Sequence, residues 1–301
     1  MNESNSTTGR YWPTLTDEIP VDNATDQSIG DFIKRMRKLS DEEIARILAY
    51  QKEKGIRFGE AAVALKMVSA EDVLWALSQQ FHYPYASGDG STISPELVVA
   101  ADPFSNQAEV FRDLRSQLVM GALNPEDTRR ALAVVSPDAG DGKTFFAANL
   151  AVVLSQLGAR TLLIDADMRT PRQHELFRVD NKVGLSSILL GRASPSVVQP
   201  VADLSTLFLI PVGTTPPNPL ELVQSPAFNQ LLQEVLLKFD YVVVDTPAMV
   251  HGADARVIAA KCGAAIAMGR QGTTTMKAMK TLMSGLAKSP VKVAGVLMNE
   301  Y

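Results

Sequence analysis

The sequence predicts an α/β protein: a doubly wound, mostly parallel sheet domain preceded by a small all-helical domain. Three observations carry this. Residues 104–301 alternate short, unbroken apolar runs with amphipathic stretches, the pattern of a parallel sheet covered on both faces by helices. Residues 28–51 and 57–80 align without gaps at a period of 29 and read as two helix pairs. A chain of 301 residues, 46% apolar and 21% charged, can bury a core in each part and is no disordered polymer.

Residues 1–26 hold Glu3, Asp17, Glu18, Asp22 and Asp26 against Arg10 alone, which accounts for the whole formal net charge of −4. They lack periodicity and read as a flexible acidic tail. No dense Lys/Arg block occurs, so no nucleic-acid partner is expected. One cysteine, Cys262, excludes an intrachain disulfide. The polar start and the lack of 18 consecutive apolar residues imply a cytoplasmic protein, recruited to the inner membrane face only through a partner.

The small helical domain is placed at 27–83. Within its repeat Gly30 matches Gly59, Ser40 matches Ser69 and Gln51 matches Gln80. Ser40 with Glu43, and Ser69 with Asp72, read as helix caps. Residues 84–103 mix Pro, Gly and Ser and read as a linker. A helix is expected at about 105–120, then strands at Ala131–Ser136, Thr161–Asp165, Thr206–Pro211, Tyr241–Asp245, Ala264–Gly269 and Lys292–Met298. Helices at 144–157, 226–238 and 274–287 intervene, the last with Met276, Met279 and Met283 as core filler.

Chemistry is sought where strands end. The first run passes through Ser136-Pro137-Asp138-Ala139-Gly140-Asp141-Gly142-Lys143-Thr144 into a helix. Glycines there let backbone N–H groups turn toward an anion, Lys143 would reach β/γ-phosphates, and Thr144 would ligate Mg²⁺. Ala139, Gly140, Asp141, Gly142, Lys143, Thr144 and Phe145 are therefore the candidate ATP-binding residues of a P-loop NTPase domain, although Pro137 stands where the usual first glycine would be. Asp165 and Asp167, just past the second run, can hold a metal or accept a proton. Asp245, after Tyr241–Val244, would support Mg²⁺ in the manner of a Walker B carboxylate.

The set GDGKT, LLIDADMR and YVVVDTP resembles the bacterial tyrosine autokinases of capsule and exopolysaccharide assembly, relatives of the partition and septum-placing ATPases. The similarity extends over about residues 104–301 and includes Arg169-x-Pro171-x-x-His174-x-x-Phe177 and Pro216-Pro217-Asn218-Pro219. It implies autophosphorylation on tyrosine from ATP and Mg²⁺ in control of polysaccharide chain length, with a membrane-embedded polysaccharide co-polymerase as activator. By motif match Lys143 and Thr144 hold phosphate and Mg²⁺, Asp165 is the candidate base, and Asp167 and Asp245 surround the metal. Arg169 contacts either phosphate or an acidic neighbour. Glu109-x-x-Arg112-x-x-Arg115 matches the motif that joins such kinases into rings, against the plainer reading of a solvated helix face. Tyr301 is the sole terminal tyrosine, where the family carries a cluster; it is either the phosphoacceptor or a buried last residue.

The repeat resembles the N-terminal domain of type II secretion and type IV pilus ATPases, which in some members binds cyclic di-GMP through two 24-residue motifs joined by five residues. The second motif keeps Arg57-Phe58-Gly59, and the first has Ser28 in place of the arginine. Arg57 and Gly59 are the candidate ligand contacts; a protein-docking module is the other reading. Two rival functions remain open. One is a partition-type ATPase switch, whose signature lysine is replaced here by Asp138. The other is a weakly catalytic nucleotide-binding scaffold that relays a cyclic di-GMP signal.

Overall fold

The computed structural model describes residues 28–80, 94–192 and 197–300. They fall in two compact units, one within Thr16–Ser91 and the other taking in Thr92–Tyr301. The expectations for residues 1–26, for 84–93 and for Tyr301 lie outside the described residues.

The first unit has four helices: α1 (Ile29–Arg37), α2 (Asp41–Lys54), α3 (Phe58–Ala64) and α4 (Ala70–Gln80). Each helix pair follows the repeat. Ser40 accepts from the Glu43 N–H while Glu43 accepts from the Ser40 N–H, and Ser69 and Asp72 exchange the same two bonds. Ser28 caps α1 likewise through Asp31. Ile33, Ile47, Ala61, Ala62, Val68 and Ala76 form the core. Gly59 is required where α3 meets α4, because a Cβ there would lie 2.5 Å from Val73 Cγ1. Beside that core, Arg37 grips Asp72 with two bonds of 2.8 Å.

The second unit opens with α5 (Val98–Ala101) and α6 (Asn106–Met120). Then follow β1 (Ala131–Val135), α7 (Lys143–Ser155), β2 (Thr161–Asp165), α8 (Gln173–Leu176), α9 (Leu185–Leu189), β3 (Gln199–Val201) and β4 (Leu204–Ile210). The chain continues with α10 (Pro219–Gln224), α11 (Pro226–Lys238), β5 (Tyr241–Asp245), α12 (Asp254–Cys262), β6 (Gly263–Arg270), α13 (Met276–Leu286) and β7 (Lys292–Asn299). The seven strands order as β3-β4-β2-β5-β1-β6-β7. All pairings are parallel except β3 with β4. The central strands β1, β2 and β5 are buried along their whole length, which explains their unbroken apolar runs.

Three expectations change. Residues 94–103, read as linker, belong to the α/β unit: Leu97, Val99 and Ala100 are fully buried. Asn149, buried in α7, accepts from the Val99 N–H and donates to the Glu96 carbonyl. The apolar run Leu97–Ala101 gives this segment a face to bury, and Asn149 satisfies its backbone. β3 was not foreseen, because three residues centred on Pro200 carry no periodicity; an edge strand tolerates that proline. Met276 is 70% exposed, at the first turn of α13 and away from the face that buries Met279 and Leu282.

Candidate active site

Three strand ends converge. β2 and β5 are paired in register so that Asp165 lies beside Asp245, and β5 pairs in turn with β1. The loop after β1 then folds over these carboxylates. Gly140 and Gly142 take φ of 84° and 94°, left-handed values that favour glycine. Gly142 is also tightly enclosed, since a Cβ would sit 2.3 Å from Asn299 Nδ2. The loop is braced from the far side. The N–H groups of Met249 and Val250 donate to the Ser136 and Pro137 carbonyls, and the Thr246 hydroxyl donates to the Val134 carbonyl. Pro137 costs nothing in this arrangement, because it is the carbonyl of that residue that is used.

The loop opens on a cleft of about 300 Å³. Ala139, Gly140, Gly142, Lys143, Thr144 and Phe145 line it, so six of the seven candidate nucleotide residues are brought together. Asp141 is the seventh, and its side chain turns inward. It is fully buried, accepts from the Asp138 N–H and the Thr274 hydroxyl, and so shapes the loop from within. Asn299 Nδ2 adds a bond of 3.3 Å to the Asp141 carbonyl. Lys143 Nζ donates to Ser136 Oγ at 2.8 Å. Burial holds its pKa below the usual lysine value, and the carboxylates of Asp245, Asp167, Asp141 and Asp138 offset this only in part.

The carboxylates divide by environment. Asp165, expected as the base, is wholly buried and accepts from the N–H groups of Asp167, Arg172 and Gln173. It organises the loop that follows β2 and does not line the cleft. Burial and the adjacent Asp245 push its pKa well above the usual carboxylate range. Asp167 does line the cleft, held by the Thr170 hydroxyl and by the N–H groups of Arg169 and Thr170. Asp245 is fully buried, and burial raises its pKa to about 6 despite the Gln173 amide, Thr144 and Lys143. Its Oδ1 has no hydrogen-bond partner.

That orphaned oxygen is the test of whether Mg²⁺ fits. Among the described residues no group of three or more His, Cys, Asp or Glu side chains converges as a ligand set. Mg²⁺ needs none, since it takes one or two carboxylates, waters and the substrate's phosphates. An unpaired buried Asp245 oxygen, the Thr144 hydroxyl and Asp167 at the cleft supply the hard oxygen donors this requires. The residues fit the ion.

The other sequence candidates separate. Arg169 bonds both oxygens of Asp254 at 3.2 and 3.3 Å, so its partner is an acidic neighbour at the start of α12. Glu109 and Arg112 form an ion pair on α6, and Arg112 also donates to the Pro103 carbonyl. Arg115 donates to the Val153 carbonyl at 2.9 Å, fastening α6 to α7. The plainer i,i+3 reading is thus realised for the first pair, and both arginines make bonds inside the unit. Arg57 is exposed at the head of α3. Reasoning from sequence missed Gln173, Arg172, Thr274 and Asn299. Of these, only Asn299 carried a signal, as the residue that ends the last apolar run.

The model of the ParA family, described as NUBPL iron-transfer P-loop NTPase, matches residues 127–299. The chain is 36% identical to the tyrosine-protein kinase Wzc of Salmonella typhimurium over 68% of its own length and 28% of that protein's. It is 35% identical to the putative tyrosine-protein kinase CapB of Staphylococcus aureus, covering 70% of this chain and 91% of CapB. Among solved structures, the kinase domain of Escherichia coli tyrosine kinase ETK superimposes with a TM-score of 0.64 at 32% identity, over 67% of this chain and 79% of that one. The chain therefore spans little more than a quarter of Wzc and nearly the whole of CapB. With the fold, the phosphate loop and the carboxylates behind it in agreement, the chain belongs to the bacterial tyrosine-protein kinases, built on a ParA-type P-loop NTPase domain.

Proposed function

We propose that the protein transfers the γ-phosphoryl group of Mg-ATP to a tyrosine hydroxyl, in a system that regulates capsule or exopolysaccharide synthesis. The observation that carries this is the Asp245 carboxylate behind the phosphate loop, buried with one oxygen unpaired beside Lys143. A purely structural site would not leave that oxygen without a partner.

Phosphoryl transfer needs positioning and charge stabilisation more than covalent help. The N–H groups of the Gly140–Gly142 turn and the α7 N-terminus receive the phosphates, and Lys143 offsets charge on the transferred group. Mg²⁺, held by Thr144 with Asp167 and Asp245 as supporting carboxylates, would neutralise the β- and γ-oxygens. Asp165, at the end of β2, is the proposed base for the acceptor hydroxyl, and Asp167 lines the cleft beside the proposed metal position. Asp165 holds its loop through three amides. Arg169, tied to Asp254, steadies the same loop.

We further infer that the protein works as a homo-oligomer through the α6 face bearing Glu109, Arg112 and Arg115, with a membrane-embedded polysaccharide co-polymerase as activator. Cyclic di-GMP is the proposed ligand of the helical unit, through Arg57 and Gly59. No helix among the described residues is long and apolar enough to cross a membrane, and a membrane partner would supply that contact. Tyr301 is the proposed acceptor within this chain. Incubation of the purified protein with Mg-ATP, with and without candidate partner segments, should yield phosphotyrosine by immunoblot and mass spectrometry. Nucleotide hydrolysis with no phosphotyrosine under any of these conditions would favour the ATPase-switch reading.

A further inference from the structure

We propose that Gln173 is a positioning residue of the nucleotide site, tying the phosphate loop to both carboxylate strands and leaving Asp245 Oδ1 as the oxygen available to the metal. The inference rests on the reading of the cleft as a Mg-nucleotide site.

Gln173 is the first residue of α8 and is fully buried. Its Nε2 donates 2.8 Å to Asp245 Oδ2 and 3.1 Å to the Thr144 carbonyl. Its backbone N–H donates 3.1 Å to Asp165 Oδ2. One residue therefore bonds all three motifs: the helix start after the loop, the end of β2 and the end of β5. The Thr144 carbonyl can only accept, so the amide nitrogen is fixed in that position and the amide oxygen faces elsewhere. That oxygen has no partner, and neither has Asp245 Oδ1. A buried amide with half its capacity unused is poor packing material; an apolar side chain of the same volume would fill the site without the cost of a stranded carbonyl. What the amide supplies is asymmetry. With Oδ2 accepting the Gln173 amide, the Asp245 carboxylate cannot rotate freely, and Oδ1 is the oxygen that accepts no hydrogen bond. The bond to the Thr144 carbonyl fixes the first turn of α7, whose Thr144 hydroxyl is the other candidate metal donor. Losing a group that orients a metal-binding side chain from behind typically costs about 10–100-fold in metal affinity.

The test uses the full chain and reads binding, not turnover. ADP binding is titrated by calorimetry at rising Mg²⁺, and Mn²⁺ uptake with ADP is followed by electron paramagnetic resonance. Gln173→Met should raise the half-saturating Mg²⁺ by about tenfold, within the range for such second partners, while metal-free ADP affinity stays within twofold. Gln173→Asn keeps the amide one methylene short and should shift the same quantity; it serves if the methionine variant does not fold, as judged by metal-free melting. Wild-type metal response in either folded variant overturns the proposal. So does equal loss of metal-free and metal-dependent binding, which would mean general loosening. ADP binding by the wild type that ignores metal would overturn the reading of the cleft itself, and the inference with it.

Discussion

Two buried carboxylates, Asp72 in the helical unit and Asp245 in the α/β unit, meet opposite fates. Asp72 is spent. Burial pushes its pKa up, but the Arg37 guanidinium and the bonds from Ser69 outweigh that and hold it below the usual value. Asp245 is left with one oxygen unpaired and a pKa raised to about 6. The difference teaches where to look for function. In the helical unit Ser28, Ser40, Ser69 and Asp72 cap or pair, and Gly59 leaves room for Val73. In the α/β unit the chain keeps polar groups buried beyond what the fold consumes.

The largest effect should come from the group with the least structural work. Lys143 donates one bond, to Ser136, and is otherwise directed at the cleft. Lys143→Met should lower phosphotyrosine formation by about 10²–10³-fold with little change in melting temperature. A drop in melting comparable to loss of a core side chain would show that the lysine is structural and would collapse the contrast.

Asp72 tests the other side. Asp72→Ala should destabilise the full chain by about 1–3 kcal/mol in urea, because it leaves the Ser69 N–H without its acceptor at the head of α4 and Arg37 without its bidentate partner. ADP binding should be unchanged. The pH signs of the two carboxylates differ as well. Asp72, with its pKa lowered, contributes stability above the unfolded pKa near 4 and loses it as pH falls through the lower folded value. Asp245, with its pKa raised, costs stability as pH rises from about 4 through about 6 and at every pH above.

A substitution therefore isolates the Asp245 cost. Asp245→Asn should raise the melting temperature of the nucleotide-free protein at pH 8 by a few degrees and have much less effect at pH 4, where the acid is neutral in the folded chain and only about half ionised in the unfolded one. Added Mg-ADP should stabilise the wild type and not the variant. An asparagine protein less stable than wild type at pH 8 would mean that Lys143 fully compensates the charge.

Much of this was legible in the sequence for a physical reason. Strands buried on both faces must be apolar throughout, so β1, β2 and β5 announced themselves and carried Asp165 and Asp245 at their ends. The repeat set the helix pairs, because its serines sit at the only positions where a short hydroxyl can meet an N3 amide. What was not legible depends on partners far along the chain. Arg169 finds Asp254, Asn149 finds Glu96 and Val99, Thr274 finds Asp141, and Gln173 finds Asp245; no local pattern encodes such meetings. The surroundings of Asp165 were illegible for a related reason, since its three amide donors come from the loop after it.

The smallest effect concerns Ser28, and it bears on why the two repeats differ at their first position. In the second repeat Arg57 precedes α3, and its N–H donates to Glu60 while its side chain stays at the surface. In the first repeat Ser28 Oγ accepts from the Asp31 N–H and Asp31 accepts from the Ser28 N–H, a reciprocal cap. The serine is thus accounted for by helix capping, and the arginine is not. Ser28→Ala should cost about 0.5–1 kcal/mol and leave cyclic di-GMP binding unaltered in calorimetry. Arg57→Ala should cost almost no stability yet abolish any heat of binding. If both variants bind as the wild type does, the exposed arginine is a solvated surface group and the helical unit has no ligand through that position.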